Sequence, residues 1–172
     1  MSVIINGSAG VTTNSGAVYD SLQRGTAVTA SGTSVDFTGI PSWVRRITVM
    51  FQGVSTNGTS NLLIQIGSGS VTTTGYVSVA SRAIGGTNET TSTAGFNMNG
   101  NAATNVISGA MTLLLFSGNT WVSSHTAGSS ANSTTFFGGG QVTLSGVLDR
   151  LRVTTVNGTD TFDAGSINIL YE

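Results

Sequence analysis

The chain has 172 residues, of which six are basic and seven acidic, so that charged side chains make up only 8%, where an ordinary soluble domain carries about 25%. The lack of cysteine excludes disulfides, thiolate metal sites and Cys nucleophiles. A net charge of −1 without basic blocks argues against a nucleic-acid partner, which needs a cationic stripe, and no apolar run reaches the ~18 residues of a membrane span.

The polar character comes instead from 23 Ser, 27 Thr, 24 Gly and 13 Asn, half of the chain, beside 38% hydrophobic residues. Disordered chains lack such an apolar share. Hydroxyl and amide side chains suit turns and exposed strand faces. The expected class is therefore all-β.

Residues 1–24 are broken by Gly7, Gly10 and Gly16 and offer only Val3-Ile4-Ile5 and Ala17-Val18-Tyr19 as apolar patches. That is too little to bury a core, so the segment reads as a short extended arm that orders against something else. Val18 and Leu22 are four apart, which permits a short helical turn over 17–23. The opening has no cationic n-region and too short an apolar run for a signal peptide.

From Gly25 to Glu172 the pattern is short strands punctuated by Gly and Asn, read as one domain. Residues 26–30 and 33–37 are brief strands, and Gly39-Ile40-Pro41-Ser42 is a turn. Residues 43–54 alternate, with Ile47, Val49 and Phe51 facing one way, and Trp43 is expected in the core. Asn57-Gly58 predicts a hairpin to 61–66, because both positions tolerate positive φ. Residues 76–84 form a strand with Tyr76, Ser78 and Ala80 on one face. Residues 85–105 and 123–133 are polar and read as loops. Residues 106–116 and 120–125 predict a hairpin across Gly118-Asn119, with Leu114 and Phe116 opposite Met111, Leu113 and Leu115. Residues 142–156 read as one strand with Val147, Leu151 and Val153 in step; Asn157-Gly158 turns the chain into 166–172. Roughly nine or ten short strands and no long helical pattern predict an antiparallel two-sheet sandwich, jelly-roll-like.

Chemistry-bearing residues are few. His125 is the sole histidine, where hydrolytic triads and zinc sites need histidine and usually further ligands. Asp160 and Asp163 share a turn region, and Asx-turn chemistry explains them better than ion binding. Arg45 and Arg46 point to opposite faces, with Asp149 or Asp36 as expected ion-pair partners. Gly138-Gly139-Gly140 lacks the Lys and helix of a phosphate loop and reads as a bend or a close backbone contact. The strongest binding candidate is Trp121, which with Asn119 and His125 forms a possible glycan contact: a ring to stack on a sugar face and amides to read hydroxyls. On that reading Trp121→Ala weakens sugar binding without unfolding the domain. Packing in the core or between subunits is the competing role for Trp121. No cofactor or metal is expected, and no enzymatic activity.

The run over 35–67, with Asp36-Phe37-Thr38-Gly39-Ile40-Pro41-Ser42-Trp43-Val44 and Thr56-Asn57-Gly58-Thr59-Ser60, resembles a module of tailed-bacteriophage virion proteins. The close, Leu148-Asp149-Arg150 with Thr155-Val156-Asn157-Gly158-Thr159-Asp160 and Phe162-Asp163-Ala164-Gly165-Ser166, resembles the end of the same module. The front, Ile4-Ile5-Asn6-Gly7-Ser8, is similar to openings of phage tail-fibre-type proteins. The resemblance covers about residues 25–172. It implies a virion component of the tail fibre or spike type, a homotrimer on the particle surface. Residues 1–24 would dock other virion proteins, and a host-surface glycan is a possible contact. A capsid decoration or head-fibre protein and a carbohydrate-binding module for host polysaccharide are the alternatives. The resemblance supplies no catalytic residues, and the chain lacks the long shaft of ordinary fibres.

Overall fold

Alternation of apolar and polar side chains along extended backbone puts every second residue on one face, and two such faces must meet to leave water. The computed structural model, which describes residues 3–6, 10–13, 22–83, 86–100 and 102–172, does this with two antiparallel sheets packed as a sandwich. The expected arm falls largely outside the described residues, as does most of the helical turn over 17–23. Within the arm, β1 (Val3–Asn6) and β2 (Gly10–Thr13) pair with each other. The sheet proper begins at β3 (Gln23–Arg24), two residues earlier than the expected boundary, because β3 already pairs with the last strand.

The remaining strands follow in chain order. They are β4 (Val28–Thr29), β5 (Ser34–Thr38), β6 (Arg46–Thr56), β7 (Leu62–Ser68), β8 (Ser70–Val71), β9 (Val77–Ala83) and β10 (Thr87–Ser92). Then come β11 (Phe96–Met98), β12 (Ile107–Ser117), β13 (Thr120–Ser129), β14 (Thr134–Thr143), β15 (Arg150–Thr155) and β16 (Phe162–Tyr171). One 3₁₀ turn, Ser130–Asn132, joins β13 to β14. The nine-stranded sheet runs β10-β9-β14-β13-β12-β6-β16-β3, with β4 also on β16, and the five-stranded sheet runs β11-β7-β15-β5, with β8 folded back on β7.

The core lies between the sheets. Ile47, Val49 and Phe51 on β6 are buried as their alternation predicts, together with Met111 and Leu113 on β12 and Ile167 and Ile169 on β16. The smaller sheet contributes Leu62, Ile64 and Ile66 from β7 and Leu151 and Val153 from β15. Tyr76 bridges the two layers. Its hydroxyl accepts from the Ile66 N–H at 2.8 Å and donates to the Ile66 carbonyl at 3.2 Å, while its ring meets Phe96 edge-on at 5.0 Å. Burial pushes that phenol up to about 12, so it stays protonated.

Several expectations are corrected by the topology. The Asn57-Gly58 turn is no hairpin: β6 pairs with β12 and β16, whereas β7 pairs with β11 and β15, so this turn carries the chain from one sheet to the other. Asn157-Gly158 carries it back, from β15 to β16. The residues 85–105 hold two strands, because Thr-rich β10 needs no apolar alternation at a sheet edge and β11 is only three residues long. The polar stretch 123–133 is mostly strand, as β13 runs to Ser129. The stretch 142–156 is not one strand but the end of β14, a connector and β15; Val147 in the connector is 56% exposed and out of step with Leu151. Trp43 precedes β6 and is 43% exposed, its ring 5.9 Å from that of Tyr171, so it lies at the margin of the core.

The two crossover turns clasp each other. Asn57 donates its N–H to the Thr161 carbonyl (3.0 Å) and accepts at Oδ1 from the Thr161 N–H (2.9 Å). Asp160 accepts from the Ser60 N–H (2.9 Å) and from Asn157 Nδ2 (2.6 Å), and Asn157 Oδ1 takes the Thr159 and Asp160 N–H groups. The Asn157 side chain, foremost, holds the Asp160 carboxyl below its usual range. Gly58 is required by space: a Cβ there would fall 2.1 Å from the Asp160 carboxylate.

Candidate functional site

Strand β13 directs Trp121, Ser123 and His125 inward, because its outward positions are Val122, Ser124 and Thr126. Trp121 is 2% exposed and His125 5%. A stacking platform needs an open ring face, so the glycan contact expected of Trp121, Asn119 and His125 is corrected: the Trp ring is core. Four steps along the strand separate Trp121 from His125, about 13 Å at ~3.3 Å per residue. Asn119 lies in the Gly118-Asn119 hairpin turn, where its carbonyl accepts from the Leu144 N–H at 3.0 Å. It shares with Trp121 the wall of a cavity of about 90 Å³, well below the ~300 Å³ at which ligand pockets begin.

His125 packs over Gly138, whose absent Cβ would come within 2.7 Å of the imidazole Cε1. Both ring nitrogens are buried without a hydrogen-bond partner. Desolvation pulls its pKa down to about 4, so the ring is neutral at pH 7. Among the described residues no carboxylate or nucleophile is bonded to this neutral, enclosed imidazole.

Several charged residues pair locally along the strands. Arg46 bonds Glu172 at 2.9 Å, Arg150 bonds Asp149 at 2.8 Å and Arg152 bonds Asp36 at 2.7 Å. The partners expected for Arg45 and Arg46 are thus corrected: β15 presents Arg152 to Asp36 across the β15–β5 ladder, and Arg45 donates to the Ser42 and Val44 carbonyls. Asp149 also accepts from the Gly69 N–H, and its Arg150 hydrogen bond is the main cause holding its carboxyl below the ordinary range. Asp160 belongs to the crossover clasp. Asp163 lies in β16 and accepts from the Ser55 hydroxyl. Among the described residues no three His, Cys, Asp or Glu side chains gather into a metal-holding group.

The open feature lies on the opposite face of the same strands. Outward from β14, Gly139 stands in register between Val79 of β9 and Ser124 of β13, so one side chain is missing from the row. Val77, Val79 and Val122 wall the resulting trough, and Thr91 to Thr93 close one side, giving a groove of about 500 Å³. Gly138 and Gly140 also let β14 approach β9 closely, since a Cβ there would meet the Val79 or Val77 carbonyl at 2.4 and 2.5 Å, while one on Gly139 would meet the Ser123 carbonyl of β13 at 2.9 Å. Close backbone contact was readable from the triplet; the groove was not, because it depends on which strands lie beside β14. No family model, curated protein or solved structure matches the chain.

Proposed function

We propose that this chain is a non-enzymatic structural component of a tailed-phage virion, tail fibre- or spike-like, exposed on the particle as a homotrimer and anchored through its first residues. The observation that supports the reading best is how the sandwich disposes of its functional groups. Its one histidine and its inward Trp are used in the core, and Asp36, Asp149, Asp160 and Glu172 serve ion pairs and a turn. The outward face of β9, β14, β13 and β12 carries no charged side chain and is partly apolar, with Glu89, Arg46 and Arg24 flanking it on β10, β6 and β3. Such a surface suits protein contact better than turnover. The resemblance of 35–67 and 148–169 to virion modules supplies the particle.

Two assays test the class. Incubated with host capsule or lipopolysaccharide, the chain should release no reducing ends; release that vanishes in a folded Asp160→Asn or Asp163→Asn variant would make it an enzyme. A glycan array separates a carbohydrate-binding module from an assembly protein, and no sugar-specific binding is expected, because the buried Trp121 offers no stacking face.

A further inference from the structure

We propose that copies of this chain join edge to edge along the nine-stranded sheet. Strand β10 of one copy lies beside β3 and β4 of the next, and Glu89 of the first pairs with Arg24 of the second. The inference rests on the self-assembling reading above and names its contact. Of the described charged side chains, only Arg24 and Glu89 have no hydrogen bond, ion pair or other electrostatic contact. Both are exposed, they are opposite in sign, and they stand at opposite margins of one sheet. Both project on its outer face, Arg24 across from Leu170 and Glu89 across from Ser81. Arg24 lines a cavity of about 240 Å³ together with Gln52 and Asn168, so a carboxylate arriving there meets amides as well as a guanidinium.

The occupant follows from the edges and their charges. Among the described residues β10 is bonded only to β9, and β3 and β4 only to β16, so neither margin has a strand on its outer side. Such an edge is a template for pairing with another chain. The Asn88 carbonyl of β10 accepts from Asn99 Nδ2, a buried side chain, so that bond comes from the inner side of the sheet. The lengths agree: β10 has six residues, about 20 Å at ~3.3 Å per residue, and β3 with β4 lines β16 from Ser166 to Tyr171, about the same. Two copies can pair their edges in three ways. Joining β10 to β10 brings Glu89 beside Glu89, and joining β3 to β3 brings Arg24 beside Arg24; like charges across a ladder are destabilising. Only β10 on β3 brings unlike charges together, whereas pairing the outer faces would leave both edges open. The ion pair chooses which edges meet, and the strand ladder supplies the contact, since an exposed pair alone is worth little. A contact between two different edges is head-to-tail, and head-to-tail contacts that close give a ring in which every copy uses both edges.

Sedimentation velocity on the full chain at micromolar concentration and low ionic strength tests this. Wild type should have three times the chain mass. Arg24→Glu gives a chain with a carboxylate at both margins, and Glu89→Arg one with a guanidinium at both; each should lower that mass threefold. The double variant Arg24→Glu/Glu89→Arg carries the pair reversed and should regain the wild-type mass. Neither side chain is bonded to a described residue of its own chain, so all three variants should keep the wild-type β circular dichroism spectrum and melt. Wild-type mass in either folded single variant, or a folded double variant that stays monomeric, would place the contact elsewhere and leave the trimer standing. A monomeric wild type would overturn both this contact and the trimer, without bearing on whether the chain is in the particle.

Discussion

An imidazole buried between two sheets with both nitrogens unbonded is stable only while neutral, and this makes His125 an acid-sensitive residue of the fold. Its pKa is about 4 in the folded chain against 6.5 when free. The unfolded chain therefore binds the proton first as pH falls, and stability declines from about pH 6.5 until the folded-state value is passed. The lost stability is of the order of 3 kcal/mol, at about 1.4 kcal/mol per pKa unit. Thermal melts between pH 7.5 and 4 should show this loss, and His125→Leu should show a shallower slope over the same window. An identical slope in the two proteins would assign the acid sensitivity to other groups. Trp121 makes the complementary case. Its truncation to Ala removes a ring 2% exposed and should cost about 3–5 kcal/mol, read in a denaturant melt. A folded Trp121→Ala of wild-type stability would contradict a core role.

At the scale of strands, face assignment was legible wherever one side of a strand is covered. The alternation of β6, the faces of β9, the Gly118-Asn119 hairpin and the in-step Ile167 and Ile169 of β16 all follow from period-two patterning. Sheet membership was not legible. Asn57-Gly58 looks the same to a rule about positive φ whether it reverses a strand within a sheet or carries it to the other sheet. In fact Gly58 is needed for room beside Asp160. Gly58→Ala should accordingly destabilise by about 1–3 kcal/mol through overpacking, whereas Gly32→Ala should be limited to its positive-φ strain, because nothing lies near its Cβ. Equal losses in urea melts of the two variants would remove the clasp as an explanation. Strand β10 escaped sequence reading because an edge strand of Thr, Asn, Glu and Ser carries no hydrophobic period. The groove escaped it for a related reason: a glycine leaves a hollow only where its neighbours, here Val79 and Val122, come from strands distant in sequence.

For the whole molecule, the sandwich closes on itself from Gln23 onward. Removing residues 1–21 should leave a β-rich spectrum and a cooperative melt while abolishing uptake into particles. Extending the deletion through Thr29 removes both strands that finish the β16 edge and should lower the melting temperature. A molten product of the shorter truncation would mean that the first residues supply part of the core. The central claim is that the chain is a built-in part of a virion, and quantitative mass spectrometry of gradient-purified particles tests it most directly. The account predicts a constant copy number relative to the major capsid protein, in a multiple of three. Particles that lack the chain, with all of it recovered free in the lysate, would contradict it.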